Sequence, residues 1–105
     1  MAFNIIAETS KKLDFQNLHK KIFLEELPFD FIPMPGFGIK GGDALGICVP
    51  LKNANEDIWQ KLKPILKTLK SNFGCDVYDL YGGQKLGLFN IDLFKQNLLA
   101  WLHYR

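Results

Sequence analysis

Five of the chain's nine glycines fall between Gly36 and Gly46, and Gly36-Phe37-Gly38-Ile39-Lys40-Gly41 has the spacing G-x-G-x-x-G. In a dinucleotide site such glycines let the backbone approach a pyrophosphate, and a helix opening directly after them aims its N–H groups and dipole at the phosphate. The residues that follow do not open a helix. Leu45, Ile47, Val49 and Leu51 alternate with small residues, which is the period of a strand. The stretch is therefore expected to be a long connection between strands. Its apolar side chains Met34, Phe37 and Ile39 either plug one end of the core or form a flap that orders on a partner.

Other reactive side chains are scattered. His19 and His103 are the only histidines, and neither has a cysteine, serine or carboxylate at a spacing that suits a triad or a metal site. Asp76 and Asp79 are three apart on an expected strand, so they point to opposite faces and cannot work as a pair. His19, Asp76 and Asp79 are the acid/base candidates if the chain is an enzyme. Cys48 and Cys75 lie in different elements without zinc spacing, and are expected to be reduced and unlinked. No pattern calls for a cofactor or a metal.

The basic residues are twelve lysines and one arginine, Arg105, against eleven acids, for a net charge of +2. Arginine's planar fork is the preferred reader of phosphates and base edges, so this balance disfavours nucleic acid as a partner. Gly36, Phe37 and Gly38 match the RNP1 pattern of RNA-recognition domains, but the leading basic residue and both later aromatics are missing. Lys63, Lys67 and Lys70 line one side of an expected helix and read as a solvated face. The N-terminus lacks a basic leader and no apolar run reaches membrane-spanning length. A soluble, cytoplasmic protein is expected, with one domain over residues 1–105.

These residues must be held by a regular scaffold. Phe3, Ile5 and Ala7 alternate with Asn4, Ile6 and Glu8 in a strand with apolar character on both sides, suiting a central position. Asp14 is placed to cap a helix carrying Phe15, Leu18 and Ile22, ended by Pro28. Phe29–Ile32 reads as a strand closed by Pro33-Met34-Pro35. Ile58, Leu62, Ile65, Leu66, Leu69 and Phe73 form the stripe of a long amphipathic helix, with Asn55 as cap, Gly74 as terminator and a kink expected at Pro64. Cys75–Tyr81 and Gln84–Leu88 read as a hairpin turning at Gly82-Gly83. Asn90 caps a last helix stapled by Phe89 and Phe94, with Leu98 and Trp101 in its buried stripe.

The order predicts an α+β fold: a ferredoxin-like βαββαβ sheet with two helices on one face, plus an extra C-terminal strand and helix. The last helix is expected to cover the open sheet face or to pair two chains. With no reactive constellation, the expected function is a non-catalytic protein-binding module, for instance an immunity- or antitoxin-type protein that neutralises a toxin. Its partner is another protein or a second copy of the chain. The candidate contact residues are Met34, Phe37 and Ile39 on the loop, and Leu93, Leu99 and Tyr104 on the last helix. The alternative is a small ligand-binding or isomerase/lyase-like enzyme with its pocket between sheet and last helix.

Overall fold

In the computed structural model residues 2–22, 30–50, 56–80, 83, 85–87 and 91–102 are described. The chain runs β1 (Ala2–Glu8), α1 (Phe15–Ile22), β2 (Asp30–Met34), a 3-10 turn (Ile39–Gly41), β3 (Ala44–Pro50), α2 (Glu56–Ser71), β4 (Asp76–Asp79) and α3 (Ile91–Leu102). It is a small α+β domain built on a four-stranded antiparallel sheet in the order β2-β3-β1-β4.

Alternation on the strands decides which face is covered. Phe3, Ile5 and Ala7 of β1, Leu45, Ile47 and Val49 of β3, and Val77 of β4 all point one way and are buried. Leu18 of α1, six residues of α2 and Leu98 of α3 join them in a single apolar core. Trp59 adds to the expected stripe of α2, because residues adjacent to a stripe widen it to the arc a sheet requires. Full burial of one such side chain contributes about 1.5–3 kcal/mol, so this layer of sheet against helices carries the fold.

Local chemistry sets the element ends. The Asp14 carboxylate accepts the Asn17 N–H at 3.1 Å, satisfying one of the orphan donors of α1 as an N-cap does. Gly74 adopts φ +64, a left-handed turn that brings the Cys75 N–H back onto the Leu69 carbonyl at 3.0 Å. Pro64 lies inside α2 without dividing it. The expected stop at Pro33 gives way to a strand that continues to Met34, because β2 is an edge strand, where a missing N–H can face away from the sheet.

Three expectations change. First, the last helix does not cover the open face. Leu98 is fully buried in the core, Asn97 reaches Asp79 on the core side of β4, and Lys95 pairs with Glu56 of α2 at 2.8 Å. Secondly, the extra strand is reduced, among the described residues, to one bridge between Tyr78 and Lys85, with the Leu86 N–H on the Val77 carbonyl. A turn centred on Gly82-Gly83 would have set Tyr78 opposite Gly87, two residues further on. Gly83 instead donates its N–H to the Asp79 carbonyl at 2.9 Å, which shifts the register. Thirdly, the glycine-rich segment is a hydrogen-bonded loop. Ile39 and Asp43 donate to the carbonyls of Thr9 and Lys11, and Thr9 donates back to Asp43. The expected roles of Pro28, Asn55, Phe89 and Asn90, and the side chains of His19, Phe94 and Trp101, lie outside the described residues.

Candidate functional site

The sheet face opposite the helices is built by a cross-strand lattice that the register fixes. Its middle row runs Ile32, Gly46, Ile6 and Tyr78, each residue paired with the next across a strand boundary. One flanking row carries Asp30, Cys48 and Asn4, and Leu80 adjoins it through its N–H on the Asn4 carbonyl at 2.9 Å. The other flanking row carries Met34, Ala44, Glu8 and Asp76.

Gly46 shapes this face. A side chain there would meet Ile32 Cβ and Met34 Sδ at 3.6 Å, so its absence leaves a groove between neighbours that are themselves in place. The groove has a volume of about 190 Å³, with Ile6, Ile32, Met34, Cys48 and Leu80 around it. Ile32 is 53 % exposed and Leu80 61 % exposed, although both are large apolar side chains on or beside a sheet. Apolar groups so arranged can bury further surface against a partner, which is what they can do chemically. None of these five residues is a carboxylate, lysine or histidine.

Asp43 ties the loop that borders this face. Its carboxylate is buried and accepts the Leu13 N–H at 2.7 Å and the Gly36 N–H at 2.9 Å. Those two bonds hold its pKa below the ordinary aspartate value, against a smaller opposing effect of burial, with Lys12 assisting. Gly38 and Gly42 are required where the loop meets the Thr9–Lys11 segment, since a Cβ at either would collide with the Thr9 carbonyl oxygen. The loop is thus fixed in place, and it carries Phe37 outward at 71 % exposure.

The candidate contact residues separate into two groups. Met34 lines the groove, Phe37 and Ile39 follow on the adjoining loop, and Ile39 is half-buried in the 3-10 turn. Leu93, exposed, and Leu99, half-buried, belong to α3 in the helical layer. Tyr104 lies outside the described residues. Ile32, Gly46 and Leu80 were not singled out from the sequence. The available signal was weak: Ile6 on the polar side of β1, and Ile32 and Met34 opposite Phe31 on β2, which align only once the register is known.

The two described acid/base candidates, Asp76 and Asp79, do not converge. Asp79 is fully buried and accepts the Asn97 amide at 2.6 Å, whereas Asp76 faces the other way and pairs with Lys85 at 3.5 Å. Cys48 and Cys75 are both free thiols, on β3 and directly ahead of β4, with β1 between those strands. Burial, helped by the neighbouring Asp76 charge, pushes the Cys75 thiol up to about 11. Among the described residues no cluster of histidine, cysteine and carboxylate side chains could hold a metal ion, and no helix is long and apolar enough to cross a membrane. Comparison with known protein families, with curated proteins and with solved structures gives no significant match.

Proposed function

We propose that this chain is a non-catalytic protein-binding module that takes its partner on the free face of the sheet, as an immunity- or antitoxin-type protein would. The observation that carries the reading is the apolar groove over Gly46, bordered by the exposed Ile32 and Leu80. Completing the burial of two half-exposed aliphatic side chains is worth about 2–3 kcal/mol, enough to make them the anchors of an interface. The sheet edges suit this function less well. β2 carries Pro33 and the outer side of β4 is engaged at Tyr78 by Lys85, so strand addition is obstructed at both.

The same reading takes the scaffold as a ferredoxin-like βαββαβ plan with α3 added. Support comes from the order β2-β3-β1-β4 with every neighbouring pair antiparallel and from one core shared by the sheet and the helices. Two free thiols suit a reducing compartment, and the cytoplasm is the proposed location.

The test attaches a photo-crosslinker to Cys48, while the buried Cys75, its thiol pushed up to about 11, stays unmodified at neutral pH. The protein captured in cells of the source organism is identified and purified. Its affinity is then measured by calorimetry for the parent chain, for Leu80→Asp and for Leu93→Asp, with circular dichroism as the folding control. Leu80→Asp should weaken binding by about tenfold or more and Leu93→Asp should leave it unchanged. The reverse pattern would move the interface to α3, and no capture at all from Cys48 would remove the free face as a docking surface.

A further inference from the structure

We infer that the partner of this face is a protein segment carrying apolar side chains flanked by lysines or arginines; the inference rests on the free face being the docking surface. The strands place three carboxylates around the apolar middle of the face: Asp30 at one corner, across from Cys48, and Glu8 and Asp76 side by side at another, as a directly opposed pair on β1 and β4. Among the residues paired in the strand registers and the bridge of this face, Lys85 is the one lysine, and it pairs with Asp76. The paired residues of the face thus carry three carboxylates against one lysine, although the chain has a net charge of +2. Four further lysines, Lys61, Lys63, Lys67 and Lys70, lie along α2 in the opposite layer.

This division of charge selects among occupants. A second copy meeting the first face to face would bring two sets of Glu8, Asp30 and Asp76 together, which like-charge repulsion opposes. A copy offering its lysine-bearing α2 surface instead would make a head-to-tail contact that propagates into open filaments unless it closes into a ring. An anionic surface, whether lipid or nucleic acid, is repelled by the same carboxylates. A cationic, apolar segment meets both demands: aliphatic or aromatic groups fill the groove over Gly46, and flanking cations reach Asp30 on one side and Glu8 on the other. Each exposed pair adds little, so apolar contact supplies most of the affinity and charge supplies the choice.

The experiment uses the full chain with three synthetic amphipathic peptides of equal length: one of leucine and lysine, one of leucine and glutamate, one of serine and lysine. The readout is the rate at which Cys48 is alkylated, which reports occupancy of the groove itself. The leucine–lysine peptide should slow alkylation by about tenfold at a concentration where the other two do nothing, and added salt should weaken its effect. The double variant Glu8→Lys, Asp30→Lys, checked for folding by circular dichroism, should transfer the preference to the leucine–glutamate peptide. Equal protection by both leucine peptides overturns the charge inference and leaves the docking face standing. Equal protection by the serine–lysine peptide reduces the site to an acidic patch. Sedimentation showing a self-associated chain with Cys48 already protected makes a second copy the occupant and likewise overturns the inference. A monomer whose Cys48 no peptide protects overturns the inference and the docking face together.

Discussion

Asp43 shows how one side chain converts a flexible sequence into a fixed loop. Glycines ordinarily cost much entropy to order, and four of them lie between Gly36 and Gly42. A single carboxylate gathers the Leu13 and Gly36 amides from either side of β2 in sequence. Both are charge-assisted bonds, stronger than neutral ones. Because the folded-state pKa of Asp43 is lowered, the stability it adds is fully present above the ordinary aspartate range and is lost as pH falls through the lowered folded value. Asp43→Asn should therefore destabilise the protein at neutral pH and flatten part of its acid limb. Urea melts from pH 7 down to pH 2 on both proteins read this directly; parallel curves would mean that Asp43 does not contribute through ionisation.

The cysteines make a second prediction at the same scale. With its pKa pushed up to about 11, Cys75 is thiolate at about one part in a thousand at pH 8, and thiolate is the reactive form. Cys48 lines the open groove. Iodoacetamide at pH 8 should label Cys48 first, with Cys75 reacting at the rate of unfolding, as peptide mapping by mass spectrometry would show. Comparable rates for the two would mean that the β4 end of the core opens locally.

At the scale of the element, legibility followed periodicity. Every expected stripe residue of α2 from Ile58 to Leu69 is buried, and the Asp14 cap and the central position of β1 were readable for similar reasons: a helix face or a cap depends on a few neighbouring residues. Whether the glycine loop is a flap or packed structure was not legible, because its hydrogen bonds reach Thr9, Lys11 and Leu13, some thirty positions away in sequence, and no local pattern reports such bonds. Hydrogen exchange is expected to place the Ile39 and Asp43 amides with those of α2. The Phe37 amide, at 3.3 Å from the Met34 carbonyl beside an exposed ring, should exchange faster. Uniformly fast exchange from Gly36 to Asp43 would make the segment a flap.

Pro64 supplies the other test of an element. It is exposed on α2 and cannot donate to the Gln60 carbonyl, a cost of about 3 kcal/mol inside a helix. Replacing it returns about 0.4–1 kcal/mol of entropy to the unfolded chain. Pro64→Ala should then stabilise by about 2 kcal/mol, which for a domain of this size raises Tm by about 8 °C. A thermal melt without that rise would indicate that α2 already accommodates the missing hydrogen bond at Pro64.

For the whole molecule, the groove was illegible because it belongs to no single element. Ile6, Ile32 and Leu80 come from three separate parts of the chain, and only the register around Gly46 makes them neighbours. That arrangement lets stability and the proposed binding be tested at one position. Glycine weakens a strand interior by roughly 0.5–1 kcal/mol relative to alanine, and a Cβ at Gly46 would find Ile32 and Met34 at ordinary contact distance, 3.6 Å. On stability alone alanine is the better residue, and under the proposed function the open space at Gly46 is what a partner would fill. Gly46→Ala is accordingly expected to raise unfolding free energy by about 0.5–1 kcal/mol while partly filling the groove and weakening capture of the partner from Cys48. Chemical denaturation gives the first quantity and calorimetry with the captured protein the second. A variant that gains stability and binds as before would show that the partner rests on the rim of the face and does not enter the groove; one that loses stability would show that the backbone at Gly46 is strained, and the groove a by-product of strand geometry.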